Sequence, residues 1–328
     1  MIEAILHRVL TFLRLVRWYN LLFLMILIWV MEKWVAVPVL GPWEEQLPAW
    51  MLALLMAGTV LIAAGGYVIN DYFDIKIDRI NRPERLIVSA SVTKTQAMWC
   101  FRILTGLGIV SGLILAWYVR STTLALVFVL VPGLLWFYSA SYKRQFLVGN
   151  LIVSLAAGMT PLIVAIANVA VLQMRFPDLL QYTSLVHDLY MWLGGFALFA
   201  FLTTFVREII KDLQDLPGDR ELECHSMPVV IGVTGTKIVV TVMTAGIIVL
   251  ILWLNFAVVP FPHGFTDLST RFALYGLAIP MLCALWLVWS AKIESDYRMP
   301  QLVWKFVMFI GTMYSFVVLR CLPIESLL

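Results

Sequence analysis

The sequence predicts an all-α integral membrane protein, a single bundle of about nine transmembrane helices, and three observations predict it. The 328 residues are 62% hydrophobic and only 13% charged, with a mean hydropathy of +0.93, far outside the composition of soluble globular domains. A spanning helix needs ~20 mostly apolar residues, and nine such runs occur, near 18–37, 50–70, 97–118, 121–140, 148–171, 189–208, 236–259, 271–290 and 302–321. Finally, the connections are short and carry no low-complexity linker, so residues 1–328 read as one domain with neighbouring helices packed antiparallel.

In chain order, Arg8 and Arg14 precede a first run long enough to span, and no small-residue cleavage site follows it, so the run reads as an anchor and not as a removed signal. The third and fourth runs are separated only by Arg120, Ser121 and the two threonines after it. Under the nine-helix reading 18 of the 23 Lys and Arg fall on one side, and only Lys33, Arg120, Arg175, Arg271 and Arg320 on the other. The positive-inside rule then makes the N-terminus and the connections after helices two, four, six and eight cytoplasmic, in a multi-pass protein of the cell membrane. A net charge of +3 is too small to suggest a nucleic-acid partner. No required protein partner is evident. The four cysteines are scattered, without the spacing of a disulfide framework or a zinc site.

Two of the cytoplasmic connections, roughly 70–95 and 207–237, are long and rich in both signs of charge. The first opens with Asn70, Asp71, Asp74 and Asp78, and their three- and four-residue steps place these side chains on one face if the helix continues. The second contains Glu208, Asp212, Asp215 and Asp219 with steps of four, three and four, and Pro217 and Gly218 are expected to end that helix before Asp219. One such run alone would read as a solvated helix end with local ion pairs, for example between Asp78 and Arg82. Two of them, in a chain with only 20 acidic residues, read as a site. Crowded carboxylates repel one another and call for a cation, and Mg2+ suits hard oxygen donors shared with substrate phosphate. Acids on two helix ends could clamp a diphosphate between them and draw charge from it as it leaves. Ion relay by a transporter is the competing reading, and it is disfavoured because the acids sit at helix ends, with no midplane carboxylate in the other helices.

At these residues the chain resembles the UbiA superfamily of intramembrane prenyltransferases, whose signatures are N-D-x-x-D-x-x-x-D after helix two and D-x-x-x-D after helix six. Asn70, Asp71, Asp74 and Asp78 match the first in full, and Asp215 and Asp219 match the second. Further similarities are Arg17 and Asn20 in helix one, Asn81-Arg82-Pro83-Glu84-Arg85 after the first signature, and Tyr138-Ser139 with Lys143-Arg144. The stretch Arg207-Glu208, Lys211-Asp212, Asp215, Gly218-Asp219 is similar to one branch, the geranylgeranylglyceryl phosphate geranylgeranyltransferases.

The resemblance implies an enzyme that transfers a prenyl chain from a polyprenyl diphosphate to an acceptor. A prenylglyceryl phosphate is implied first, and an aromatic acceptor is the alternative. A second alternative is a silent relative that only binds or transports prenyl lipids. It implies that Asn70, Asp74, Asp215 and Asp219 coordinate Mg2+, supported by Asp71, Asp78 and Asp212, and that Arg85 and Lys143 contact the diphosphate. Arg17, Arg207 and Lys211 are candidate partners for an acceptor phosphate. Tyr67, Tyr72, Phe73 and Tyr138 are candidates to shield a prenyl cation. Asn150 reads either as an amide at the cavity mouth or as a helix cap, and the cap is expected. Histidine replaces the branch's lysine at His225, which is expected to remove a fixed charge beside the site.

Overall fold

A computed structural model describes residues 2–41, 47–81, 83–178, 183–261, 264 and 267–322. Its helices are α1 (Ile2–Leu15), α2 (Trp18–Leu40), α3 (Ala49–Phe73), α4 (Ile75–Asn81), α5 (Lys94–Tyr118) and α6 (Thr122–Ala140). They continue with α7 (Val148–Arg175), α8 (Leu185–Glu221), α9 (Met227–Val230), α10 (Gly232–Ala257), α11 (Leu268–Ser290) and α12 (Arg298–Cys321). Nine of these, α2, α3, α5 to α8 and α10 to α12, are long and apolar enough to cross a membrane. Each of the nine expected runs corresponds to one of them, and Val119–Ser121 does separate α5 from α6. The chain is therefore an integral membrane protein built of helices, as lipid requires of a backbone whose polar groups find no water.

The packing order explains where a cavity can form. Helices α2, α3, α6, α7, α8 and α12 pack side by side, and α12 returns to α2 to close a ring. α5 lies outside the ring against α3 and α6, while α10 and α11 flank α8 and α12. The α3–α5 seam is close because small residues face each other. A Cβ on Gly108 would meet the Gly58 carbonyl oxygen at 2.9 Å, and one on Gly65 would meet Thr105 Oγ1 at 2.3 Å. Without a hydrophobic drive between helices in lipid, such backbone approach is what gives dispersion its grip.

Three features depart from the sequence reading. The N-terminal segment forms a separate helix, α1, with Leu6, Val9, Leu10 and Phe12 exposed. The α8 helix does not stop at Pro217 but runs 37 residues to Glu221. At 1.5 Å per residue that is ~55 Å, well beyond the ~30 Å of a hydrocarbon core, so its last turns project past the lipid-spanning part. A carboxylate also lies inside a span: Glu32, fully buried in the π-helical stretch Met31–Ala36 of α2, accepts a bond from Asn168 Nδ2 of α7 at 2.7 Å. It ties α2 to α7 at the end of the bundle remote from the acidic segments.

Candidate active site

The ring encloses a cavity of about 1320 Å³ that is charged at one end and apolar towards the other. Asn70, Asp71, Asp74 and Asp78 line it from α3 and α4, and Asp212, Asp215 and Asp219 from α8. Arg17, Asn20, Tyr138, Lys143, Arg207, Lys211 and Glu208 line it as well. All of Arg82 and the side chain of Arg85 lie outside the described residues, so Arg85 is placed only by its backbone in the 3-10 turn Pro83–Arg85.

The first acidic segment is not one continuing helix. α3 ends at Phe73, Asp74 takes φ −85° and ψ 1°, and α4 restarts at Ile75. The Asp78 N–H still donates to the Asp74 carbonyl at 2.9 Å, so the kink keeps the four-residue step and all four polar residues stay on the cavity wall. Asp71 and Asp74 each have a cationic partner from elsewhere in the chain. Arg17, held in a left-handed conformation at φ 52° before α2, donates Nη2 to Asp71 Oδ1 at 2.7 Å and lies over the Tyr67 ring at 4.9 Å. A non-glycine residue rarely adopts that backbone without tertiary contacts that hold it there. Lys143 Nζ is ion-paired with Asp74 Oδ2, which also accepts from Asn70 Nδ2 at 2.7 Å. Burial opposes the charges of Arg17 and Lys143, yet Asp71 and Asp74 outweigh it, and both cations are held charged beyond their ordinary range. For Asp78, burial followed by the neighbouring charge of Asp74 pushes the carboxyl up to about 6.

The second segment is one unbroken stretch of α8. Glu208 takes both cations of its own helix, Arg207 at 2.7 Å and Lys211 at 3.5 Å. Asp212 accepts from Asn150 Nδ2 at 2.8 Å. Asn150 is inside α7, whose N-cap is Leu147, so it is the cavity amide and not the cap. The continuation through Pro217 has a local cause. Proline lacks a donor and normally breaks the helical ladder, but here Asn81 of α4 holds the turn. Its Nδ2 donates to the Asp215 carbonyl at 3.1 Å and its Oδ1 accepts the Gly218 N–H at 2.9 Å. Gly218 is required by the same contact, because a Cβ there would fall 2.6–2.8 Å from the Asn81 amide. Asn81 thus fastens the two acidic segments to each other, a role its place in a sequence motif does not disclose.

Two further expectations are corrected. Tyr67, Phe73 and Tyr138 line the cavity, but Tyr72 does not: it packs beside a buried cluster that includes Val68, Ile75 and Val88. His225 is exposed and off the cavity wall, with its N–H donating to the Arg144 carbonyl at 2.9 Å, so the missing lysine charge is not one taken from the site.

Among the described residues no three His, Cys, Asp or Glu side chains converge into a cage that could hold a metal by themselves. The donors that line the charged end are nonetheless hard carboxylate and amide oxygens on facing elements. That set fits Mg2+, which commonly binds through one or two carboxylates and completes its octahedron with water and substrate phosphate.

Comparison with known proteins agrees with this architecture. Over 187 residues the chain is 33% identical to digeranylgeranylglyceryl phosphate synthase of Thermococcus kodakarensis, a match covering 57% of this chain and 59% of that relative. The chain thus matches less than two thirds of that relative's length. A solved structure of a digeranylgeranylglyceryl phosphate synthase in membranes shares the fold, with a TM-score of 0.62 at 22% identity over 95% of this chain and 99% of that one. So does a UbiA homologue from Archaeoglobus fulgidus bound to GPP and Mg2+, with a TM-score of 0.57 at 14% identity over 94% of this chain and 99% of that one. Residues 23–312, nearly the whole membrane bundle, match the UbiA prenyltransferase family, and the chain belongs to that family.

Proposed function

We propose that this chain catalyses Mg2+-dependent transfer of a prenyl group, geranylgeranyl first among candidates, from its diphosphate to the hydroxyl of a prenylglyceryl phosphate. One observation carries the reading. Acidic segments more than 130 residues apart, joined by Asn81 to Asp215 and Gly218 (|i−j| of 134 and 137), share the charged end of a cavity whose remainder is apolar. A diphosphate with a long isoprenoid tail has the same division. Two similar proteins, a digeranylgeranylglyceryl phosphate synthase and a UbiA homologue bound to GPP and Mg2+, agree with it.

Asn70, Asp74, Asp215 and Asp219 would hold the metal, with Asp71, Asp78 and Asp212 beside them. When bound, Mg2+ supplies Lewis acidity that neutralises charge on the departing diphosphate. The residues of the chain do the rest. Lys143, held charged against Asp74, stands ready for phosphate oxygens. The allylic carbon–oxygen bond breaks with its electron pair leaving on diphosphate. A bond then forms from the acceptor hydroxyl oxygen to the prenyl carbon, and the hydroxyl proton passes to a carboxylate of the cavity. Tyr67, Phe73 and Tyr138 present π faces and exclude water while positive charge resides on the prenyl carbon. Arg17, Arg207 and Lys211 are the cations available to an acceptor phosphate. The distribution of basic residues supports a charged end that faces the cytoplasm.

The test is turnover by purified full-length protein given Mg2+, labelled geranylgeranyl diphosphate, and a panel of prenylglyceryl phosphates and aromatic acceptors. Ether product in the wild type, lost in Asp74→Ala and in Asp215→Ala, supports the reading. Product only with aromatic acceptors would move the chain to another branch. Turnover that survives both substitutions would remove the metal clamp.

A further inference from the structure

The cavity ends within the apolar half of the bundle, and its floor is not uniform. The deepest wall residues on the six ring helices are Leu27, Thr59, Val127 with its neighbour Phe128, Ile163, Phe196 and Thr312. Phe128 lies ten residues along α6 from Tyr138, hence ~15 Å below the charged mouth. It is also the one floor residue among these whose side chain rests on glycine backbone. A Cβ on Gly112 of α5 would fall 2.0, 2.2 and 2.3 Å from its Cγ, Cδ1 and Cδ2, and a Cβ on Gly58 of α3 would fall 2.7 Å from its Cε1. The ring is only 1% exposed and belongs to the buried cluster beneath the cavity. Behind it stands α5, which contributes no wall residue among those described. Phe128 therefore stands between the cavity and the backbone of α3 and α5 at Gly58 and Gly112.

We infer that Phe128, seated on Gly58 and Gly112, sets the longest prenyl chain this cavity admits. The inference rests on the proposed prenyl-donor reading and adds the length limit to it. Removing the Phe128 ring opens space against Gly58 and Gly112, which carry no side chain to fill it. A closely packed interior relaxes only partly around such a deletion. The space gained then adjoins the deep cavity wall on the side of Gly58 and Gly112. Conversely, a methyl on Gly112 cannot coexist with the ring where it stands, and α5 behind it leaves the cavity side as the way out. One seat therefore gives opposite predictions for its two components.

The experiment uses the full chain in lipid nanodiscs with Mg2+ and a ladder of prenyl diphosphates rising by isoprene units from farnesyl to hexaprenyl. Each donor is measured for turnover with the acceptor and for displacement of labelled geranylgeranyl diphosphate, which needs no chemistry. An added methylene in an apolar pocket is worth roughly 10–200-fold in discrimination. Phe128→Ala is expected to raise the preference for the donor one unit longer than the wild-type limit by about tenfold or more. Phe128→Leu, for use if the alanine variant unfolds on heating below the assay temperature, is expected to shift the same way by less. Gly112→Ala is expected to lower the preference for the longest accepted donor. In the Phe128→Ala background it should no longer do so, because two groups that act through one contact are not additive.

Displacement ladders of the Phe128 variants that superimpose on wild type overturn the inference. Ladders that shift in a protein with no turnover on any donor leave the length limit standing and remove the prenyl-transfer reading instead.

Discussion

The two acidic segments share a spacing but are built in opposite ways. In the first, the backbone breaks at Asp74 and the cationic partners come from elsewhere in the chain: Arg17 for Asp71 and Lys143 for Asp74. In the second, the backbone runs on through Pro217 and the cations of Glu208 are its own helical neighbours. The first is thus assembled by the fold, while the second is largely present as soon as α8 forms. Asn81 reaches from the first to the second and makes the continuation possible. The difference teaches that identical three- and four-residue steps do not imply identical backbone. Side-chain spacing places acids on a face, and tertiary partners decide whether the helix beneath them breaks.

The largest effect is expected where the segments do the same thing. Asp74→Ala and Asp215→Ala should each reduce kcat/KM by about 10³-fold, the scale of losing a group that stabilises transition-state charge. Product formation against Mg2+ concentration checks this. If one substitution is severe and the other mild, the two segments are not equivalent halves of a clamp. Next comes the fastening between them. Asn81→Ala removes both bonds to α8 and leaves a proline without its support, so activity should fall by about 10–100-fold, as it does when an orienting outer partner is lost. Gly218→Ala should resemble it, since its methyl would displace the same amide. Helical content measured by circular dichroism, with and without Mg2+, separates a loosened end of α8 from global unfolding.

The fold was legible because lipid leaves the backbone few options: length and apolarity alone located nine spans, and the spacing of Asp71, Asp74 and Asp78 located one wall of the cavity. What could not be read was decided by contacts distant in sequence. Nothing in the sequence around Pro217 announces that an asparagine 136 positions earlier bonds the turn on both sides of it. Asn150 has the residue type of a cap and sits near a helix start, yet Asp212 of another helix claims its amide. Glu32 was missed for the converse reason. It lies at the end of an apolar run, where a charge reads as loop-facing, and only Asn168 on α7 shows that it is inside. α1 escaped because its apolar residues are too few to span and its basic residues read as flanking charge.

Protonation probes the first segment by itself. Asp78 is pushed up to about 6 by burial and then by Asp74, against an ordinary value of 3.8. In the metal-free protein the folded state therefore keeps a proton that the unfolded chain has released. Stability should fall as pH rises from about 4 to about 6, the reverse of the trend for a salt-bridged acid. Metal binding works in the opposite direction, because a cation held beside Asp78 favours its charged form. Mg2+ affinity should thus weaken as pH falls through about 6. Isothermal titration of Mg2+ in the presence of a prenyl diphosphate measures the slope. Asp78→Asn should flatten it, and a slope that persists in Asp78→Asn assigns the proton to another group.

The smallest effect should come from the cations of the second segment, and it is the most direct measure of how differently the two are held. Asp71 has the single recorded cation Arg17 at 2.7 Å, whose backbone is itself held in the left-handed region. Arg17→Ala therefore leaves a partly buried carboxylate without its partner, a loss of about 1–3 kcal/mol in the stability of that wall. Glu208 has two cations, and Lys211 at 3.5 Å is the more distant. Lys211→Met leaves Arg207 in place at 2.7 Å, so the cost should stay near 0.5 kcal/mol, typical of one member of a helical ion-pair set. Donor KM for the two variants is the deciding comparison. A several-fold rise for Arg17→Ala with little change for Lys211→Met is what redundancy within α8 predicts. A larger effect for Lys211→Met means that this lysine touches substrate, and its pairing with Glu208 is then a means of aiming it.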